Sequence, residues 1–131
     1  MKTRFIVLIV IVLIIGILTV AVSLLLRNTE KQLEALSAIE IEEVDLLQVD
    51  DGTYEGEWKV FPINVLVRVS VKDHVITEVL LLRHDNGQGE AAEVLPEEIV
   101  RTQRIDLDTV SGASYSSKAI LLAVQDALAE L

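Results

Sequence analysis

From Phe5 to Leu26 the chain reads FIVLIVIVLIIGILTVAVSLLL, twenty-two residues without a charge, interrupted only by Gly16, Thr19 and Ser23. As a helix rising about 1.5 Å per residue, this stretch reaches roughly 33 Å, enough to cross a bilayer's hydrocarbon core with slight tilt. A cleaved signal peptide is the alternative, but its apolar region runs only about 7 to 15 residues before a small-x-small site. Ala21-Val22-Ser23 is the nearest match to such a site, and three leucines follow it. An uncleaved anchor over residues 1–27, lying in the lipid through residues 5–26, is the better reading. Lys2, Arg4 and the amino terminus mark the short side, which the positive-inside rule assigns to the cytoplasm. The rest of the chain is then expected on the extracytoplasmic side of the cell membrane, as a single-pass protein.

The chain has 131 residues, so about 80 to 100 remain for a globular part, enough for one modest core and not for two domains. Three of the eleven basic residues, Lys2, Arg4 and Arg27, flank the apolar segment. Eight basic residues therefore face twenty-one acidic ones in the remainder, a net charge of −13. A nucleic-acid partner needs clustered Lys and Arg to displace phosphate counterions, and this chain has no such cluster. An acidic exterior is also repelled by anionic headgroups, so the domain is not expected to lie flat on the membrane. The absence of cysteine removes disulfides, thiolate metal sites, iron–sulfur clusters and thioether-linked haem. Two histidines are too few for a His-rich metal site.

Beyond the anchor, residues 28–49 carry Leu33, Leu36, Val44 and Leu47 at loosely helical spacing, which predicts a stalk with a short helix. Residues 50–131 read as an α+β domain, a small antiparallel sheet with a hairpin and helices packed on it. Asp51-Gly52 predicts a turn with Gly52 at positive φ, entering a strand, and Pro62 marks a break. Val65, Val67, Val69 and Val71 alternate with other residues as in a strand with one buried face. Val75 to Leu82 supplies the partner strand across an Asp73-His74 hairpin turn, where histidine takes a place that glycine fills best. A polar loop, His84 to Gly89, leads to a helical stretch over 90–103, which begins or kinks at Pro96. An amphipathic helix from Ser117 to about Glu130, capped by Ser116 or Ser117, closes the chain.

The chemistry concentrates in Asp108-Thr109-Val110-Ser111-Gly112-Ala113-Ser114-Tyr115-Ser116-Ser117, a hydroxyl-rich loop of small residues running into a helix N-terminus. Unpaired N–H groups and the helix dipole favour a phosphate there. Gly112 and Ala113 allow its close approach, and the hydroxyls of Ser111, Ser114 and Ser117 can donate to it. By themselves such serines are more often plain caps. Ser114, His84 and Asp108 also supply the three side-chain types of a hydrolytic triad, but Gly-Ala-Ser-Tyr-Ser is not a nucleophile elbow, and the chain is short for the folds that carry one.

The same stretch resembles the flavinylation motif of the FMN-binding domain family, Asp-x-x-Ser/Thr-Gly-Ala-Thr/Ser. That family includes domains similar to the covalent-FMN subunits of sodium-pumping NADH:quinone reductase and of Rnf-type complexes. Asp51-Gly52-Thr53-Tyr54-x-Gly56, His84-x-Asn86-Gly87-x-Gly89, Gln103 and the closing Ala/Leu helix extend the resemblance over about Asp50 to Leu131. Here serine stands where threonine is commoner, and His74 replaces a usual turn glycine.

The resemblance implies FMN attached through its phosphate to Ser114 by a separate flavin transferase. It gives Asp108 a role in recognition by that enzyme or in its metal site, against the alternative of a plain loop carboxylate. His84, Asn86 and Gly87 are expected to wall the isoalloxazine, and Tyr115 to stack on it or pack on the sheet. The implied role is an electron-transfer flavoprotein component serving redox partner proteins or a quinone-linked reductase, rather than a self-sufficient enzyme. The competing reading is a module that holds FMN without a covalent bond, or serves as a scaffold or sensor.

Overall fold

The computed structural model describes residues 1–85 and 88–129. They fall into two compact units, Met1–Gln32 and Leu33–Leu131. Helix α1 (Lys2–Ala38) contains the whole apolar stretch and is long and apolar enough to cross a membrane. The helix expected in the stalk is therefore the end of α1. It stops at Ala38, where β-branched Ile39, Ile41 and Val44 alternate with carboxylates that a helix C-terminus disfavours. Extended chain follows, then a 3-10 turn, Leu46–Gln48. The Asp45 carboxylate caps this turn, accepting from the Gln48 side-chain amide at 3.0 Å and from Leu47 N–H at 3.1 Å. These hydrogen bonds hold the Asp45 carboxyl below its usual pKa.

Residues 33–49 belong to the same unit as the sheet. Leu36 and Val49 are buried, and Leu33, Ile41, Val44 and Leu46 pack against the core.

Three antiparallel strands, β1 (Gly52–Val60), β2 (Ile63–Lys72) and β3 (Val75–Asp85), lie in sequence order. The valine alternation does what its period predicts, since Val65, Val67, Val69 and Val71 are all buried on one face of β2. Each contributes roughly 1.5 to 3 kcal/mol over an exposed side chain. Asp73 and His74 form the two-residue hairpin turn with φ of 50° and 61°, so both take the left-handed conformation such a turn requires. Gly52, in contrast, starts β1 without a positive φ. Two irregularities in the β2–β3 register interrupt the alternation of β3 and carry the strand on through His84, which lies opposite Val65.

Helix α2 (Leu95–Thr102) begins with Pro96 in its first turn, as expected, after a 3-10 segment, Glu90–Val94. It ends at Gln103, left-handed with φ 58°. The Gln103 side chain accepts from Ile76 N–H at 2.8 Å and donates to the Ile76 carbonyl at 2.7 Å, fastening α2 to the outer edge of β3.

Helix α3 (Ser114–Ala129) is less amphipathic than its sequence predicts, with Ala119 to Val124 buried without a break. The sheet covers one side. Elsewhere Gln125 Oε1 accepts from Glu42 N–H at 3.0 Å, and partly buried Ile41, Leu107 and Val110 pack against the core.

Gly56 of β1 explains how near the helix comes. A Cβ there would overlap the Ala123 carbonyl oxygen and the Ala127 nitrogen, and would lie 2.8 Å from Ala127 Cβ. Beside it, Glu57 N–H donates to Asp126 Oδ2 at 2.9 Å. Because backbone atoms block the site, Gly56→Ala is expected to lower stability by about 2 kcal/mol or more. Thermal unfolding of the full chain in detergent measures this, and an unchanged midpoint would show that α3 tolerates displacement from β1.

Candidate functional site

The hydroxyl-rich loop is shaped by one turn and one side chain. Ala113 N–H donates to the Val110 carbonyl at 3.0 Å, and Gly112 adopts a φ of 81°, a conformation that favours glycine. Ser117 is fully buried. Its hydroxyl accepts from Val110 N–H at 2.9 Å and donates to the Ala113 carbonyl at 2.8 Å, tying the loop onto the helix it precedes. The helix therefore starts three residues before the expected position, at Ser114 rather than after a Ser116 or Ser117 cap. Ser117 still performs a capping service, from inside the first turn and toward the loop.

This start places Ser114, with its side chain exposed, at the positive end of a sixteen-residue helix. A cleft of about 360 Å³ opens there, lined by Gly112, Ala113, Ser114, Tyr115 and Ser116 from the loop and helix. Gln88 and Gly89 lie on another wall, with Pro62, Ile63 and Leu33 completing it. The volume is within the range of small-ligand sites. One end offers the Ser114 hydroxyl and first-turn N–H groups, which have no intrahelical acceptor. Another offers apolar surface from Leu33, Pro62, Ile63 and Tyr115. A Cβ built on Gly112 would meet nothing within 4 Å, so the mouth beside Ser114 is open. The arrangement fits a ligand with an anionic terminus and a flat, largely apolar body, which is the chemistry of FMN.

Of the residues singled out from sequence, Gly112, Ala113, Ser114 and Tyr115 come together on this cleft. Ser111 is exposed on the preceding turn, and Asp108 is exposed further back in the loop; neither lines the cleft. Ser117 lies beneath it in the role just described. His84 is not a lining residue either. Its side chain is 2% exposed, and its Nδ1 lies 2.8 Å from Glu93 Oε1. Asn86 and Gly87 lie outside the described residues.

Sequence reasoning did not single out Leu33, Pro62, Ile63, Gln88, Gly89 or Ser116 as site residues. Only the fold brings the β1–β2 turn and Leu33 to the start of α3. Ser116 was legible as a hydroxyl, but not as a lining residue.

Residues 58–129 match the family model described as the FMN-binding domain. No match to the chain was found among curated proteins or among solved structures.

The role of Ser117 is open to direct measurement. Ser117→Ala leaves the part-buried Val110 N–H without its acceptor and is expected to cost about 1 kcal/mol or more. Chemical denaturation reads the loss, and hydrogen exchange at the Val110 amide should accelerate with it. Unchanged exchange would mean that the loop is held by other contacts.

Proposed function

Because the chain belongs to the FMN-binding domain family, we propose that it is a membrane-anchored extracytoplasmic carrier of FMN, held as a phosphoester on Ser114, that transfers electrons. Binding of FMN follows from the family. The attachment, the placement and the redox role are the further reading. The observation that carries it is the position of Ser114, an exposed hydroxyl on the first residue of α3, at the rim of the cleft and inside the matched segment.

The chain's own contribution is binding and orientation. The first turn of α3 offers its N–H groups and dipole to the phosphate. Gly112 keeps the approach to Ser114 open, and Ser117 fixes the loop. Pro62, Ile63, Leu33 and Tyr115 give apolar walls that limit water around a flat ring. When bound, FMN supplies the redox chemistry through that ring. Attachment by a flavin transferase replaces the Ser114 O–H bond with an O–P bond, the proton and the leaving group on phosphorus departing.

A covalent link has a physical rationale outside the cell, where a dissociated flavin is lost and cannot be replaced from the cytoplasmic supply. Lys2 and Arg4 before the span support that placement. Electrons would pass between a membrane reductase, quinone-linked or otherwise, and redox partner proteins on the outer side.

Intact mass after co-expression with a flavin transferase tests the attachment. The expected result is a gain of one FMN less water, abolished in Ser114→Ala. An unchanged mass beside an active transferase refutes the tether, and flavin that survives gel filtration but leaves on denaturation would establish noncovalent binding instead.

Placement is tested separately, using the absence of native cysteine. A Glu97→Cys chain in intact cells is expected to react with a membrane-impermeant thiol reagent, and a Thr3→Cys chain only after lysis. The reverse pattern would invert the topology.

A further inference from the structure

Two adjacent serines in the first turn of α3 are both buried, Ser116 at 2% exposure and Ser117 at 0%, yet their hydroxyls differ completely in partners. Ser117 makes two hydrogen bonds within the protein. The Ser116 Oγ is buried and has no hydrogen-bond partner. Helical hydroxyls ordinarily avoid that state by bonding to a carbonyl three or four residues back. Thr19, Ser23, Thr29, Ser37, Thr102 and Ser117 all do so in this chain. Ser116 does not, and it lines the cleft at whose rim Ser114 sits. A buried hydroxyl without a partner destabilises a protein unless something else fills the role.

We propose that the Ser116 hydroxyl is a phosphate-binding group of this site, donating a hydrogen bond to the FMN phosphate from the cleft interior while Ser114 serves as the attachment point at the rim. This assignment rests on the FMN reading and adds to it a residue that holds the phosphate before and after any covalent bond forms. The cleft also explains the difference between neighbours. Ser117 is turned to the loop and secures Val110 and Ala113, whereas Ser116, its hydroxyl unpartnered, belongs to the lining of the cleft beside the helix N-terminus. The first-turn N–H groups and the Ser116 hydroxyl would then converge on one anion, with no basic side chain lining the cleft among the described residues.

The test uses the full chain in detergent, produced without a flavin transferase, and titrates it with FMN and with riboflavin, which lacks the phosphate. Ser116→Ala is expected to weaken FMN binding about tenfold or more, as for loss of a hydrogen bond to a charged group, and to leave riboflavin binding unchanged. In the flavin-free chain the same substitution is expected to raise the thermal midpoint by a few degrees, because it removes a buried polar group that has no protein partner. Equal FMN affinity in both chains overturns the assignment while leaving the FMN reading intact. Equal loss for both flavins, together with a lowered midpoint, assigns Ser116 to packing and overturns it as well. Failure of the unsubstituted chain to bind FMN, with no mass gain after exposure to an active transferase, overturns the FMN reading and this inference together.

Discussion

The close approach of α3 to β1 at Gly56 sets the rest of the domain. With no side chain at that point, the helix backbone settles against the strand, and the Glu57–Asp126 hydrogen bond fixes it beside the contact. The helix then covers the valine face of β2, and its N-terminus falls near the β1–β2 turn at Pro62 and Ile63. The cleft is thus a product of helix placement. A helix held farther from the sheet would leave Ser114 with different walls, whatever the sequence of its loop.

Three serines within four residues have three different environments, and helix geometry separates them. Ser114 starts the helix and is exposed, Ser116 is buried in the lining of the cleft, and Ser117 is bonded to the preceding loop. Successive residues on a helix turn by about 100°, so adjacent Ser116 and Ser117 direct their hydroxyls to different surroundings. A serine-rich stretch at a helix start is therefore several separate positions that chemistry can use differently.

Much of this was legible from sequence wherever a local rule decided the outcome. The apolar span, the period-2 valines, the Asp73-His74 turn and the Pro96 helix start each depend on residues close in the chain. The motif likewise located Ser114 at the start of a helix. What escaped depended on distant partners. The turn pattern singles out Gly52 as the conformationally special glycine, but Gly56 matters more, through contact with a helix about seventy residues later. The β3 alternation is broken by register shifts that no pattern in its apolar residues announces. In sequence Ser117 looks like the cap of α3, and only its bonds to Val110 and Ala113 show that it acts from within the helix. The stretch 33–49 has sparse apolar residues, as a spacer does, yet Leu33, Ile41, Val44, Leu46 and Val49 pack with the core, while Leu47 stays exposed.

That last stretch bears on where the domain can be cut from its anchor. The Glu43 carboxylate accepts from the backbone N–H groups of both Ile105 and Asp106, each at 3.1 Å, and Glu42 N–H reaches Gln125 of α3. The family match begins at residue 58, but the compact unit begins at Leu33. A fragment trimmed to the matched region would lose β1 up to Glu57, bare one side of α3 and release the chain leading into the hydroxyl loop. Excision of a water-soluble form should therefore leave Leu33 and everything after it in place, so that the fragment keeps the strand, the acidic clasp and the cleft wall it needs to stay folded.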